Sequence, residues 1–227
     1  MNAESYCRGV EQKERLRKEL FSTIRIQEDH SPLISLMDLG FNLIFEPSMN
    51  KGYEYRAREA VCEKIGRISR LLDEQNKVLI IRSVWRSFAH QSQLWDGKVD
   101  VMRKKYPNKQ LKDIEETISH FIAPPKKSMH ATGGAVDALI FDSQADRVMD
   151  FGNNVGLKLE LDETCYPYHP DISPEAKRNR QLLIQLFEEE DFVVDILEYW
   201  HFDFGNVSWA TGKGEECARY GVIEEMK

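Results

Sequence analysis

The stretch Ser128-Met129-His130-Ala131-Thr132-Gly133-Gly134-Ala135-Val136-Asp137 decides how this chain of 227 residues is read. It leads a histidine and a glycine pair into an apolar run, Ala135 to Phe141, that is hydrophobic on both alternating faces except at Asp137. Such a run predicts a central strand covered on both sides. A carboxylate in that strand is costly unless paired, and a bound cation removes the cost. The glycines let the backbone bend back, so a loop histidine and a strand aspartate can converge.

Near the C-terminus, Glu198-Tyr199-Trp200-His201 adds a second imidazole and a second carboxylate inside the strand expected from Phe192 to Phe204. Zinc catalysts take three protein ligands from His, Asp, Glu or Cys and leave one position to water. His130, Asp137 and His201 are the candidate ligands for one metal ion, and Glu198 is left over to move protons. The plainer alternative pairs Asp137 with an arginine and keeps both histidines as satisfied core residues. Glu198 and His201 face opposite sides of an unbroken strand. Both reach a metal only if the strand starts late or carries a bulge near Tyr199-Trp200. Arg86, just past the buried run Lys77 to Val84 and Trp85, is a candidate for meeting an oxyanion. Arg82 competes for that role, and a plain salt bridge is the other reading of Arg86.

Working outward, a first helix is expected within Glu11 to Phe21, with a charged, solvated face that suits a peripheral arm. Residues 31 to 52 mix prolines and glycines with short apolar runs and predict irregular structure or short edge strands. Val61, Ile65, Ile68 and Leu72 recur at helical spacing within Tyr53 to Gln75. Further helices are expected over Phe88 to Tyr106 and around Leu111, Ile114, Ile118 and Phe121. Pro124-Pro125 stops the latter and forces an extended approach to His130. Residues 142 to 172 form a long polar loop region, which in a compact domain is a functional signal. Ser173-Pro174-Glu175 starts a helix, with an N-cap, a proline in the first turn and an acid near the positive end.

Composition bounds the function. Apolar residues make up 41% of the chain and charged residues 30%, which suits a folded core with a soluble surface. The net charge of −7 argues against a general nucleic-acid binder, because phosphate binding needs a basic face. No apolar run approaches the roughly 20 residues of a membrane helix. The first residues lack a basic-then-apolar signal segment. The expected location is therefore cytoplasmic, or periplasmic if a signal has been removed. Cys7, Cys62, Cys165 and Cys217 are scattered, without a CxxC pair, and read as reduced thiols.

The pattern Ser-x-His-x-x-Gly-x-Ala-x-Asp over Ser128 to Asp137, followed by Glu-x-Trp-His over Glu198 to His201, resembles the D-alanyl-D-alanine dipeptidases of the VanX type, within the zinc D,D-peptidases. The likeness runs from about Tyr53 to Phe204 and includes Trp85-Arg86 and Asn179-Arg180. It implies one zinc ion on His130, Asp137 and His201, with Glu198 as general base and then acid. It implies that Arg86 steadies the tetrahedral intermediate and that Ser128 helps hold the substrate. It also implies an acidic loop residue that grips the substrate's amino group, for which Asp162 is the match, at a different spacing. Ser87 stands where the family has proline, and Tyr199 where tryptophan is commoner.

The fold class expected is α+β: a single domain with a central, mostly antiparallel sheet flanked by helices, zinc D,D-peptidase-like. Residues 1–52 are expected as an arm and irregular segment packed on the core, and 53–227 as the peptidase domain. The expected substrate is a small peptide such as D-Ala-D-Ala, with neither nucleic acid nor membrane as partner; the oligomeric state stays open. The rivals are a D,D- or L,D-carboxypeptidase or endopeptidase acting on peptidoglycan stem peptides, a non-catalytic zinc-binding relative, and a non-haem iron oxygenase. The last also uses two histidines and a carboxylate, but closer together in sequence.

Overall fold

A computed structural model of the protein describes residues 2–48, 52–119, 122–153 and 163–223. Helix α1 (Ala3–Phe21) begins eight positions before the expected Glu11. Asn2 is its N-cap, accepting from the Ser5 amide at 2.9 Å, and Glu4 sits in its first turn. Four short strands follow: β1 (Arg25–Ile26), β2 (Leu33–Ser35), β3 (Leu43–Phe45) and β4 (Arg56–Arg58). Because β4 pairs antiparallel with β2, helix α2 (Glu59–Asp73) starts later than the expected Tyr53. Its spaced apolar residues Val61, Ile65, Ile68 and Leu72 are all fully buried.

Strand β5 (Lys77–Ser83) leads into α3 (Phe88–Lys105) and α4 (Leu111–Ile118). These two helices enclose a small core of their own, Met102, Ile114 and Ile118. Phe121, expected to extend the inner face of α4, lies outside the described residues. Then come β6 (Ala135–Asp142), β7 (Arg147–Val148) and α5 (Pro174–Glu189), whose N-cap Ser173 accepts from the Ala176 amide at 3.0 Å. Strands β8 (Val193–Val194) and β9 (His201–Asp203), helix α6 (Val207–Lys213) and β10 (Cys217–Ala218) complete the order.

Among the described residues the main sheet has six strands, in the order β3-β5-β6-β9-β8, with β7 also paired to β6. Only the β3–β5 pairing is parallel; the rest are antiparallel. The mixed α/β architecture and its mostly antiparallel sheet are those expected. The sheet buries Leu79, Ile81, Val136 and Phe202 together with α2 and with Leu183 and Phe187 of α5. Phe187 and Phe202 stack at a centroid distance of 3.9 Å.

The strand expected over Phe192 to Phe204 is two strands separated by the turn 195–200. Strand β9 therefore starts late, at His201, with Glu198 in the turn before it. That is one of the two arrangements under which both side chains can face one centre. Among the described residues no helix is long and apolar enough to cross a membrane.

Candidate active site

The His130 turn is held by backbone bonds on both flanks. The Arg86 amide donates to the His130 carbonyl at 3.2 Å, and the Arg58 amide to the Gly133 carbonyl at 3.0 Å. Gly133 closes the turn with a φ of +74°, the left-handed region that favours glycine. At Gly134 a Cβ would lie 2.2 Å from the Phe204 carbonyl oxygen, so only glycine permits this approach to the residue after β9. The chain then enters β6, where Asp137 is paired with His201 of β9 on one side and Ser83 of β5 on the other.

The three expected ligands converge. One ligand atom from each of His130, Asp137 and His201 lies within 4.8 Å of the others, and all three residues are buried. His130 Nε2 is 3.2 Å from Asp137 Oδ2, and His201 Nδ1 is 2.8 Å from Asp137 Oδ1. The two rings meet edge to face at 4.9 Å. His130 Nδ1 lies 2.7 Å from the Val84 carbonyl. A carbonyl only accepts, so this nitrogen carries the proton and Nε2 offers its lone pair to the centre. His201 Nε2 is 3.3 Å from Asp203 Oδ1, which leaves Nδ1 for the centre. Asp203 is fully buried and also accepts from Asn206 Nδ2 at 2.6 Å.

Arg86 belongs to the same cluster. Its Nη2 donates to Asp137 Oδ2 at 2.9 Å and its Nε to Ser83 Oγ at 2.7 Å. The arginine partner of the plainer reading is thus present, but alongside the histidines. Arg82 pairs with Glu46. Ser128 is buried and lines the same cavity of about 490 Å³, together with Trp200, Gln91 and Glu198. Tyr199 is fully buried, stacked on Phe151 and covered by the Arg180 guanidinium at 4.0 Å. It does not wall the site, because β9 starts two residues later and the turn points its ring into the core. Asp162 lies outside the described residues.

The electrostatics keep the Asp137 carboxyl ionised. Burial alone raises the Asp137 carboxyl, but the two imidazoles outweigh it and hold the group well below the usual carboxylate range. Burial and the Arg86 charge push His130 down. Burial also opposes charge on His201, yet Asp203 and Asp137 raise it well above an ordinary imidazole. Burial pushes Glu198 up to about 8, with Asp137 and Asp195 adding to the rise.

These residues fit zinc. An unprotonated imidazole nitrogen and an ionised carboxylate oxygen face each other at 3.2 Å, an arrangement that a cation between them would stabilise. That separation is close to the roughly 3.3 Å expected between tetrahedral ligands about 2.0 Å from zinc. Each imidazole has its other nitrogen bound to an oxygen, as metal-bound histidines do. A second group of metal-binding residue types, Cys7, Glu163 and His169, fits less well. His169 Nδ1 accepts from the Asp171 amide at 3.2 Å, which puts the proton on Nε2.

Residues 56–212 match the family model described as D-ala-D-ala dipeptidase. The chain belongs to this peptidase family. The D-alanyl-D-alanine dipeptidase of Escherichia coli (strain K12) is 34% identical over 76 residues, covering 34% of this chain and 37% of that protein. The aligned stretch thus spans little more than a third of that relative. Among solved structures, VanYB in complex with D-alanine-D-alanine is 14% identical, covering 85% of this chain and 88% of that one, at a TM-score of 0.49. The LdcB LD-carboxypeptidase is 13% identical, covering 85% and 81%, at a TM-score of 0.48.

Beyond the family's motif residues, the site uses Ser83, Asp195 and Asp203, which the sequence reading did not single out. Asp203 carries a signal: it lies two positions after His201 in an apolar strand, hence on the same face.

The raised Glu198 carboxyl has a measurable consequence for the metal-free protein. Its folded value of about 8 lies above the ordinary 4.5. Between those pH values the unfolded chain has lost the proton and the folded chain keeps it, so stability falls as pH rises through this window. Metal-free Glu198→Gln lacks that loss. At pH 8 it is expected to be the more stable protein by on the order of 2 kcal/mol, allowing for water in the cavity. That corresponds to a Tm higher by about 4–8 °C. The difference should vanish near pH 5, and equal thermal melts at both pH values would contradict the burial argument.

Proposed function

We propose that this chain is a zinc-dependent peptidase that hydrolyses a short D-amino-acid-containing dipeptide such as D-Ala-D-Ala. The observation that carries the reading is the convergence of His130, Asp137 and His201 beside the spare carboxyl of Glu198 in one cavity. These three residues would hold one zinc ion. Zinc there supplies Lewis-acid polarisation of the scissile carbonyl and lowers the pKa of the attacking water.

The chain's own groups do the rest. Glu198 takes a proton from the attacking water on its carboxylate and delivers it to the leaving amine. Arg86 brings a fixed positive charge to meet the developing oxyanion, a contact worth about 3 kcal/mol in comparable sites. Ser83 and Asp137 hold that guanidinium in orientation. Ser128 lines the cavity as a substrate contact, and Trp200 walls it against water. Asp162 is the proposed grip for the substrate's free amino group. Helix α1 borders one side of the cavity and residues of α3 another, which supports a short substrate over a long glycan-linked stem.

The test is elemental metal analysis together with a panel of dipeptides of mixed stereochemistry and a peptidoglycan stem peptide. One zinc per chain and turnover of D-Ala-D-Ala, abolished by a chelator and restored by zinc, is expected. Preferential cleavage of the stem peptide would reassign the chain as a carboxypeptidase or endopeptidase. Bound zinc with no cleavage of any peptide would make it a binding protein, and bound iron would remove the zinc assignment.

A further inference from the structure

Arg17 lies on α1, outside the stretch matched to the family, yet its side chain borders the catalytic cavity. It is only 12% exposed. Its guanidinium makes three hydrogen bonds. Nε donates to Glu14 Oε2 at 2.8 Å, Nη1 to Ser208 Oγ of α6 at 3.3 Å, and Nη2 to Asp195. Such forked donation fixes the geometry of what it binds.

One of these partners, Asp195, leads to the proposed catalytic groups. Asp195 opens the turn that carries Glu198. Its Oδ1 accepts from the Leu197 amide at 2.8 Å, and its own amide donates to the His201 carbonyl at 2.8 Å. Asp203, whose Oδ1 faces His201 Nε2, adds its negative charge to those of Asp195 and Glu14 around the guanidinium. An apolar contact runs beside the polar one: Cys7 and Val10 of α1 cluster with Tyr166, and Ile196 and Leu197 pack against that cluster. Helix α1 therefore presses on the turn before Glu198 and ties it by charge at the same time.

We propose that Arg17 is a positioning residue for peptide hydrolysis, clamping through Asp195 the 195–198 turn that carries Glu198 and is bonded to the His201 carbonyl, so that the N-terminal helix completes the active site. This rests on the roles of Glu198 and His201 given above. Charge between Arg17 and Asp195 is little screened where both side chains are this shielded. Without the guanidinium the turn regains freedom, and misplacement of a catalytic group by about 1 Å can cost on the order of 100-fold.

The experiment compares Arg17→Met, Arg17→Lys and Asp195→Asn with the wild-type chain for kcat and KM on D-Ala-D-Ala, zinc content and amide hydrogen exchange. Arg17→Met is expected to lower kcat by about 10–100-fold with KM within about threefold and one zinc retained. Arg17→Lys should recover part of the loss, since an ammonium can still meet Asp195. The double variant Arg17→Met/Asp195→Asn should be little worse than either single one. Wild-type kcat in Arg17→Met overturns the proposal. So does a raised KM at unchanged kcat, which would make Arg17 a substrate contact.

If Arg17→Met does not fold, Asp195→Asn breaks the same tie from the other end with α1 untouched, and unchanged kcat there is equally fatal. If the wild-type chain cleaves no peptide, the functional reading fails separately. Exchange at Leu197 to His201 then decides: faster exchange in Arg17→Met upholds the clamp, and unchanged exchange rejects it.

Discussion

Replacing Glu198 with alanine is expected to lower kcat on the dipeptide by about 10³–10⁴-fold while the protein keeps one zinc per chain. General acid–base groups contribute about 10²–10⁴-fold. The upper range applies because, in the proposed mechanism, one carboxyl serves both proton transfers, from the water and to the leaving amine. The geometry separates this residue from the ligand set. Glu198 sits in the turn before β9, whereas the converging donors are His130, Asp137 and His201. Steady-state kinetics with metal analysis on the same preparation checks the claim. Retained turnover, or zinc lost together with activity, would remove Glu198 from the role of base.

His201→Ala is expected to lose both zinc and turnover, and to be destabilised as well. His201 stands between two carboxylates, 2.8 Å from Asp137 and 3.3 Å from Asp203. Removing it deletes a proposed ligand and leaves two buried acids facing an empty volume. Breaking a buried pair in this way costs about 3–5 kcal/mol, enough to lower Tm by roughly 10 °C in a domain of this size. His130→Ala should also lose zinc and activity. Elemental analysis and thermal melts measure both effects, and a full complement of zinc in His201→Ala would contradict the ligand assignment.

The helices and central strands were legible because periodicity and caps are local. Strand β6 was marked by its two-faced apolar run, and α5 by Ser173-Pro174-Glu175. The start of α1 is hard to read from pattern because Ser5 and Gly9 are weak helix formers in its first turns, leaving the Asn2 cap as the main local mark. The convergence of His130 with Asp137 followed from the glycine pair between them. The sequence pattern posed the question of Glu198 without answering it, since the position of the break in Phe192 to Phe204 depends on pairing with β6. Arg17 and Asp195 were invisible for a related reason: 178 positions separate them, and a charged helix reads as solvent-facing unless its tertiary partner is known.

Asp137 and His201 are direct neighbours across β6 and β9 although 64 positions apart. This arrangement sets where natural variation in chain length can be absorbed. A residue gained or lost that slid β9 by one step against β6 would turn the imidazole to the opposite face of the sheet, and no side-chain rotation would return it. Length changes at the exposed tip of the β6–β7 hairpin, by contrast, leave the pairing of Asp137 with His201 untouched. Homologues should therefore keep the spacing from Glu198 to Asp203 fixed while differing freely in hairpin length.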